Sequence, residues 1–235
     1  MEPHSVTPAT TPATASAYFG QMVDAYDSLI RRAVPRYEEM IERLLEILPP
    51  VAVNVLELGC GTGSLTLKLL SRYRSANVTT VDAAPEMTRV TSERAGYDPR
   101  LVAVTARFEQ LEFPAQSFDL IASSMSLHHV VDKAALYRSF AAWLKPGGEL
   151  CFADQLAGAT ERANEAHWDL WYRFCREPGH CTEEEIASLV DHSHKHDHYV
   201  PLREHTRMLE DAGFTGVDLH WRTGMYSVMS ARRGV

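Results

Sequence analysis

The sequence predicts a doubly wound α/β fold built on a mostly parallel, seven-stranded sheet. Three observations predict it: seven short apolar runs, helical patterns between the first five of them, and a glycine-rich loop directly after the first. Strands that alternate with helices need right-handed crossovers, which place helices on both faces of a parallel sheet. A length of 235 residues suits one such domain with a modest accessory lobe. Hydrophobic residues at 45% and charged residues at 23% are the proportions of a globular chain, and exclude disorder, collagen and coiled coil as its main state. Acidic residues number 31 against 23 basic ones, so the formal charge of -8 has the wrong sign for neutralising phosphates, and no nucleic-acid partner is expected. No run approaches the roughly 18 apolar residues that cross a bilayer, and the start of the chain lacks a secretory pattern, so we expect a cytoplasmic protein with no membrane partner. Cys60, Cys151, Cys175 and Cys181 are too scattered to staple a domain and are expected as free thiols.

Residues 1–15 are rich in Pro, Thr, Ala and Ser without apolar periodicity and read as a disordered tail. Residues 16–48 carry Tyr18, Phe19, Met22, Tyr26, Leu29 and Ile30, then Tyr37, Met40, Ile41, Leu44, Leu45 and Leu48, at helical spacing. Two amphipathic helices broken at Pro35 follow, and Pro49-Pro50 ends the second. Strands are expected over 51–58, 78–81, 101–104, 118–122 and 149–153. Residues 160–193 read as helix anchored by Trp168, Leu170, Trp171, Phe174, Ile186 and Leu189, within a lid over about 158–200, and Thr182 with Glu185 has capping-box spacing. A helix over 202–211 stops at Gly213, and alternating runs over 217–221 and 225–229, joined through Thr223-Gly224, close the sheet as an antiparallel hairpin. Residues 16–235 thus form the domain.

The strongest chemical signal is Val55-Leu56-Glu57-Leu58-Gly59-Cys60-Gly61-Thr62-Gly63, an apolar strand entering three glycines at alternate positions and then a helix. Glycines let the backbone turn sharply and approach a ligand, and the helix start offers free N–H groups, which suits a nucleotide-type cofactor. The dinucleotide fingerprint wants glycine or alanine where this chain has Ser64, which argues against NAD. Asp82 ends the second strand about twenty residues further on, where a carboxylate can accept from both ribose hydroxyls.

This loop resembles the first motif of class I S-adenosylmethionine-dependent methyltransferases, a Rossmann-like family, and the resemblance runs from about Tyr18 to the C-terminus. It implies S-adenosyl-L-methionine as cofactor, bound by Tyr26, Glu57, Gly59, Cys60, Gly61, Gly63, Asp82, Ala83, Met87, Phe108, Glu109 and Ser124. Met87 would pack on adenine or simply belong to the core. The segment Ala106-Arg107-Phe108-Glu109-Gln110-Leu111 resembles one whose aspartate contacts the adenine amino group, but Arg107 stands in its place, leaving Phe108 backbone or Glu109 to serve. Ser123-Ser124-Met125-Ser126-Leu127-His128-His129 resembles the fourth-strand end that faces the transferred methyl. His128 and His129 are therefore candidate catalytic bases, or else only shape the pocket. Leu144-Lys145-Pro146-Gly147-Gly148-Glu149-Leu150 resembles the family's late structural turn.

Tyr26-Asp27, Thr182-Glu183-Glu184-Glu185-Ile186 and Leu209-Glu210-Asp211-Ala212-Gly213-Phe214 resemble a narrower group that includes carboxy-S-adenosylmethionine synthases of tRNA modification. The arginine with which that group holds an extra carboxylate falls on Val190, which cannot neutralise it. Methyl transfer to a small-molecule acceptor, through N, O, C or S, is therefore the expected activity, on a monomer or homodimer. Carboxyl transfer to the cofactor is the first alternative. The aromatic lid residues Trp168, Trp171, Tyr172 and Phe174 suit an apolar or planar acceptor, and Arg173 and Arg176 would pair an anion or lie in solvent.

Asp191-His192-Ser193-His194-Lys195-His196-Asp197-His198 is a local oddity. On a helix His192 with His196, and His194 with His198, share metal-ligand spacing, and Cys175, His180 and Cys181 lie upstream. The same pattern describes a solvated turn, or a lid histidine that enters the acceptor pocket, and we assign no metal. A metal-binding or regulatory protein on the same fold is the second alternative.

Overall fold

The computed structural model describes Thr14, Ala17, Tyr18, Gly20 and residues 23–234. Most of the predicted tail lies outside the described residues, as do Ser16, Phe19 and Met22 of the first predicted helix. Helices α1 (Val23–Ala33) and α2 (Tyr37–Ile47) part around Pro35, where Arg36 takes a positive φ of 58°. α2 buries Met40, Ile41 and Leu44 at helical spacing.

The sheet then builds through β1 (Asn54–Leu58), α3 (Ser64–Arg72), β2 (Asn77–Asp82), α4 (Pro85–Arg94), β3 (Leu101–Thr105), β4 (Phe118–Ser124), α5 (Lys133–Trp143) and β5 (Leu144–Gln155). A lid of α6 (Glu161–Cys175) and α7 (Glu183–His196), then α8 (Leu202–Asp211), precedes the hairpin of β6 (Phe214–Thr223) and β7 (Tyr226–Arg233). The strand order is β3-β2-β1-β4-β5-β7-β6, with β7 antiparallel to both neighbours and every other pair parallel. Chain direction across the sheet reverses between β1 and β4, so a crevice opens outside their carboxyl ends.

Alternation along β1 divides the core in two, because successive side chains leave opposite faces. Val55 packs with Met40, Leu44 and Leu69 on the α2–α3 face. Leu56 and Leu58 join Tyr137, Phe140 and Leu209 beneath α5 and α8.

Three boundaries differ from the sequence reading. The fifth strand runs from Leu144 rather than from 149, with the Lys-Pro-Gly-Gly turn absorbed as a bulge: Leu144 pairs with Phe118, and the register shifts before Glu149 meets Leu120. The lid is two helices rather than one, because Pro178 and Gly179 (φ 87°) interrupt it and Thr182 starts a new helix. There the expected capping box forms, Glu185 N donating to Thr182 Oγ1 at 3.2 Å and Thr182 N to Glu185 Oε2 at 2.8 Å. The hairpin strands also extend beyond the predicted runs, since register shifts near Gly216 let pairing continue past a residue that favours neither face.

The lid is fastened to the N-terminal helices. Arg32 makes a bidentate pair with Glu185, at 2.8 and 2.7 Å, and Trp171 Nε1 donates to Ala33 O at 2.9 Å. Among the described residues the four cysteines are free thiols, and no helix is long and apolar enough to cross a membrane.

Candidate active site

The glycine loop leaves β1 at the switch point and is pinned to β2 by backbone bonds from Gly59 and Cys60 to Val81 O, at 2.8 and 3.1 Å. Gly59 has φ 74°, and a Cβ there would lie 2.2 Å from Ser126 Cβ, so only glycine fits. Asp82 sits opposite, its two carboxylate oxygens accepting from Gly61 N and Ala84 N, each at 2.9 Å. Burial raises the Asp82 carboxyl above its ordinary value, and the Ala84 and Gly61 amides pull against that rise. These elements wall a cleft of about 530 Å³ lined by Gly59, Gly61, Asp82, Ala83, Met87, Phe108 and Glu109.

Helix α1 is clamped over the loop. Thr62 Oγ1 donates to Asp27, and Arg94 Nη1 donates to Asp27 Oδ2 at 2.6 Å and to Thr62 O at 3.2 Å. The clamp brings Tyr26 to the cleft wall, 3.6 Å from where a Gly61 Cβ would stand.

Beyond the cleft lies a smaller inner cavity of about 80 Å³, lined by Tyr18, Trp168, Trp171, His192, Tyr199 and Tyr226, among others. Tyr26, Met125 and His129 line both spaces and form the neck between them. Among the described residues, the inner cavity has no lysine or arginine in its wall.

His128 and His129 sit in the turn after β4, their rings 4.1 Å apart. Asp154, at the end of β5, accepts from the His128 backbone N–H at 3.0 Å and bonds the ring Nδ1. Asp197, just past α7, lies with Oδ1 2.9 Å from His129 Nδ1, and Tyr199 OH donates to its Oδ2 at 2.5 Å. Lys133 fastens this arrangement, its ammonium donating to Val130 O at 2.7 Å and His198 O at 2.5 Å. Burial alone would lower His128, but the carboxylates of Asp154 and Asp197 outweigh it and raise the pKa. Burial and the neighbouring His128 charge lower His129. Burial alone would raise Asp197, yet the His128 charge and the hydrogen bond with His129 hold it well below the carboxylate range.

Four residues of the sequence reading stand off the cleft. Glu57 is buried behind the loop, its Oε2 accepting from Thr66 at 2.5 Å and Thr80 at 2.9 Å, and burial pushes its carboxyl up to about 7. Cys60 faces Thr91, Gly63 abuts the same threonine, and Ser124 pairs in the sheet beside Ala153. None of the four lines the wall. Val190, where the arginine of carboxyl transfer would fall, packs partly buried against the core.

The histidine run divides. His192 enters the inner cavity, His196 and His198 face the cleft, and His194 is exposed. Cys175 lies against Ala33 and His180 against Phe174 O. Met125 lines both spaces as part of the fourth-strand segment, and Asp197 belongs to the histidine run, but Asp154, Gln155 and Tyr199 escaped the sequence reading, because no local motif marks them and only the fold brings them together. A buried-aspartate signal was present at Asp154, a charge directly after the apolar run Leu150-Cys151-Phe152-Ala153.

Residues 30–219 match the family described as a methyltransferase domain. Malonyl-[acyl-carrier protein] O-methyltransferase of Halorhodospira halophila is 40% identical over 118 residues, 49% of this chain and 40% of that protein. Phosphoethanolamine N-methyltransferase 1 of Triticum aestivum is 30% identical over 175 residues, 74% of this chain and 30% of that protein. The chain therefore spans well under half the length of these relatives. In structure, phosphoethanolamine N-methyltransferase 2 of Haemonchus contortus, solved with S-adenosyl-L-methionine, superposes with a TM-score of 0.70 at 16% identity, over 94% of this chain and 59% of that one.

Proposed function

Since the chain belongs to the methyltransferase-domain family, we propose that it transfers the methyl group of S-adenosyl-L-methionine to a small, non-anionic acceptor held in the inner cavity. The observation that carries this reading is the neck: Tyr26, Met125 and His129 belong to both walls, so a cofactor in the cleft would present its methyl to whatever fills the cavity beyond. Asp82 would take the ribose hydroxyls, and Met87 with Phe108 would hold adenine. Backbone at Phe108 or the Glu109 carboxylate would meet the adenine amino group where Arg107 cannot. Gly59 and Gly61 would let the methionine portion lie against backbone, under Tyr26. Glu57, Cys60, Gly63 and Ser124 would support this loop from behind.

Sulfonium methyl transfer is an in-line displacement in which charge disappears, so alignment and a dry pocket do most of the work. A base is needed only when the acceptor atom carries a proton. His129, kept neutral at the neck, is then the candidate, with His128 positioning it. The cavity wall offers an anionic acceptor no lysine or arginine, and Asp197 would repel it. The acceptors named for the relatives are therefore not carried over. We place the reaction in the cytoplasm, on a monomer or homodimer, with residues 16–235 as the domain and about 158–200 as its lid.

Titration calorimetry with S-adenosylmethionine and S-adenosylhomocysteine tests the cofactor half, with micromolar binding of both expected. Acceptor candidates are then screened by S-adenosylhomocysteine release. For an acceptor that must lose a proton, His129→Ala should cut turnover roughly 100-fold while cofactor affinity stays. Absent cofactor binding overturns the reading.

A further inference from the structure

Asp197 stands where three imidazoles meet. Its side chain is 5% exposed, and from its Oδ1 the distances are 2.9 Å to His129 Nδ1, 3.8 Å to His128 Nε2 and 3.7 Å to His192 Nε2. The 2.9 Å approach is within hydrogen-bond distance, and the other two are too long for one. One donor atom each from His128, His129 and Asp197 lies within 4.8 Å of the other two.

We propose that this cluster is a binding site for a divalent transition-metal ion of the zinc type, ligated by His128, His129 and Asp197 with the fourth position open. Ligands at zinc-type bond lengths of about 2.0–2.1 Å in tetrahedral array stand about 3.3 Å apart, and the 2.9 and 3.8 Å separations from Asp197 to His129 and His128 bracket that edge. The His128 tautomer points the same way. Its Nδ1–H donates to the Asp154 carboxylate, so in the neutral ring the Nε2 lone pair is directed at Asp197 Oδ1. A lone pair facing a carboxylate oxygen in a buried site is repulsive unless a proton or a metal ion lies between them. The supporting shell is also present: Asp154 orients His128, and Tyr199 OH holds the far oxygen of Asp197. Two buried carboxylates share this corner, while the Lys133 ammonium is engaged with the carbonyls of Val130 and His198. A doubly charged ion would balance them.

The site stands on this geometry alone; only its consequence, an ion beside the methyl acceptor, rests on the methyl-transfer reading. The ion and a proton compete for the His129 nitrogen, so an ion-loaded protein would hold the acceptor by the metal rather than deprotonate it through His129.

The test is zinc and cobalt titration of the full chain, made without a histidine tag and stripped with chelator. One equivalent of zinc should bind, and cobalt should give the intense visible bands of a tetrahedral site. Asp154→Asn should weaken zinc by about 10- to 100-fold through loss of the orienting carboxylate. Asp197→Asn and His129→Gln should weaken it further, and exposed His194→Gln should change nothing. Thermal unfolding of the metal-free variants identifies any that fail to fold; His129→Gln serves if Asp197→Asn does. Substoichiometric zinc, or binding that survives Asp197→Asn and His129→Gln but falls with His194→Gln, overturns the site and leaves a proton between His128 and Asp197. Cofactor calorimetry on the same metal-free protein keeps the two readings apart: cofactor binding without zinc sinks only the metal site, and zinc without cofactor sinks only methyl transfer.

Discussion

The cleft and the inner cavity adjoin, yet they are made in different ways. The cleft is shaped by a glycine loop in tight local geometry, and its main parts, the loop after β1 and the acid ending β2, lie within a short stretch of chain. The inner cavity is walled by side chains from α1, the turn after β4, the end of β5, both lid helices and the loop beyond them. A site shaped by such a loop tolerates few substitutions and changes little; a site made of distant side chains can be refitted one residue at a time. The comparison locates the shared chemistry in the first and the choice of acceptor in the second.

The largest effect should come from breaking the cleft itself. Gly59→Ala puts a methyl group into Ser126 at a positive φ, and should cost more than about 4 kcal/mol and abolish cofactor binding. Adding Ser126→Gly should recover most of the loss, measured by thermal unfolding; no recovery would place the strain elsewhere.

Glu57 comes next, because it supports the loop from behind at a thermodynamic cost. Its folded pKa, up to about 7 from 4.5, is raised. Its contribution is therefore complete below pH 4.5 and lost as pH rises to about 7, a fall of order 3 kcal/mol. Glu57→Gln keeps an oxygen for Thr66 and Thr80 and should flatten that slope in denaturant melts taken across the window. An unchanged slope would mean that other groups produce it.

Asp82→Ala removes two charge-assisted acceptors and should weaken S-adenosylmethionine by roughly 100-fold. It should also cost about 1 kcal/mol of stability, because Gly61 and Ala84 lose their acceptor. On the other side of the neck, Trp168→Ala should alter acceptor KM with cofactor affinity within twofold by calorimetry, a bound that follows from additivity of separated sites. A matching loss of cofactor would merge the two regions into one. Smallest, Arg32→Ala should cost about 1 kcal/mol, since its pair with Glu185 is partly exposed; chemical denaturation measures it.

Legibility followed the same division. The parallel sheet was readable because buried strands are apolar runs bounded by turn residues, and the loop because glycines at positive φ have no substitute. Gly59, Gly61 and Asp82 are marked by spacing alone. Asp154 and Asp197 are not, since an aspartate in a strand and another in a histidine-rich turn become neighbours only when β5 and the end of α7 meet above His128. Glu57 shows the converse: inside a recognisable motif, alternation along β1 turns its side chain away from the cleft and toward Thr66 and Thr80. Where the lid would break was concealed because both halves carry the same helical periodicity across Pro178 and Gly179.

Tyr26 belongs to two walls, and that has a thermodynamic consequence. A ligand that orders this ring from one side changes the free energy of ligation on the other, and linkage requires the effect to be mutual. Whatever factor the cofactor adds to acceptor affinity, the acceptor must return to the cofactor. Tyr26→Phe and Tyr26→Ala should shrink that shared factor toward unity, even where either affinity measured alone hardly moves.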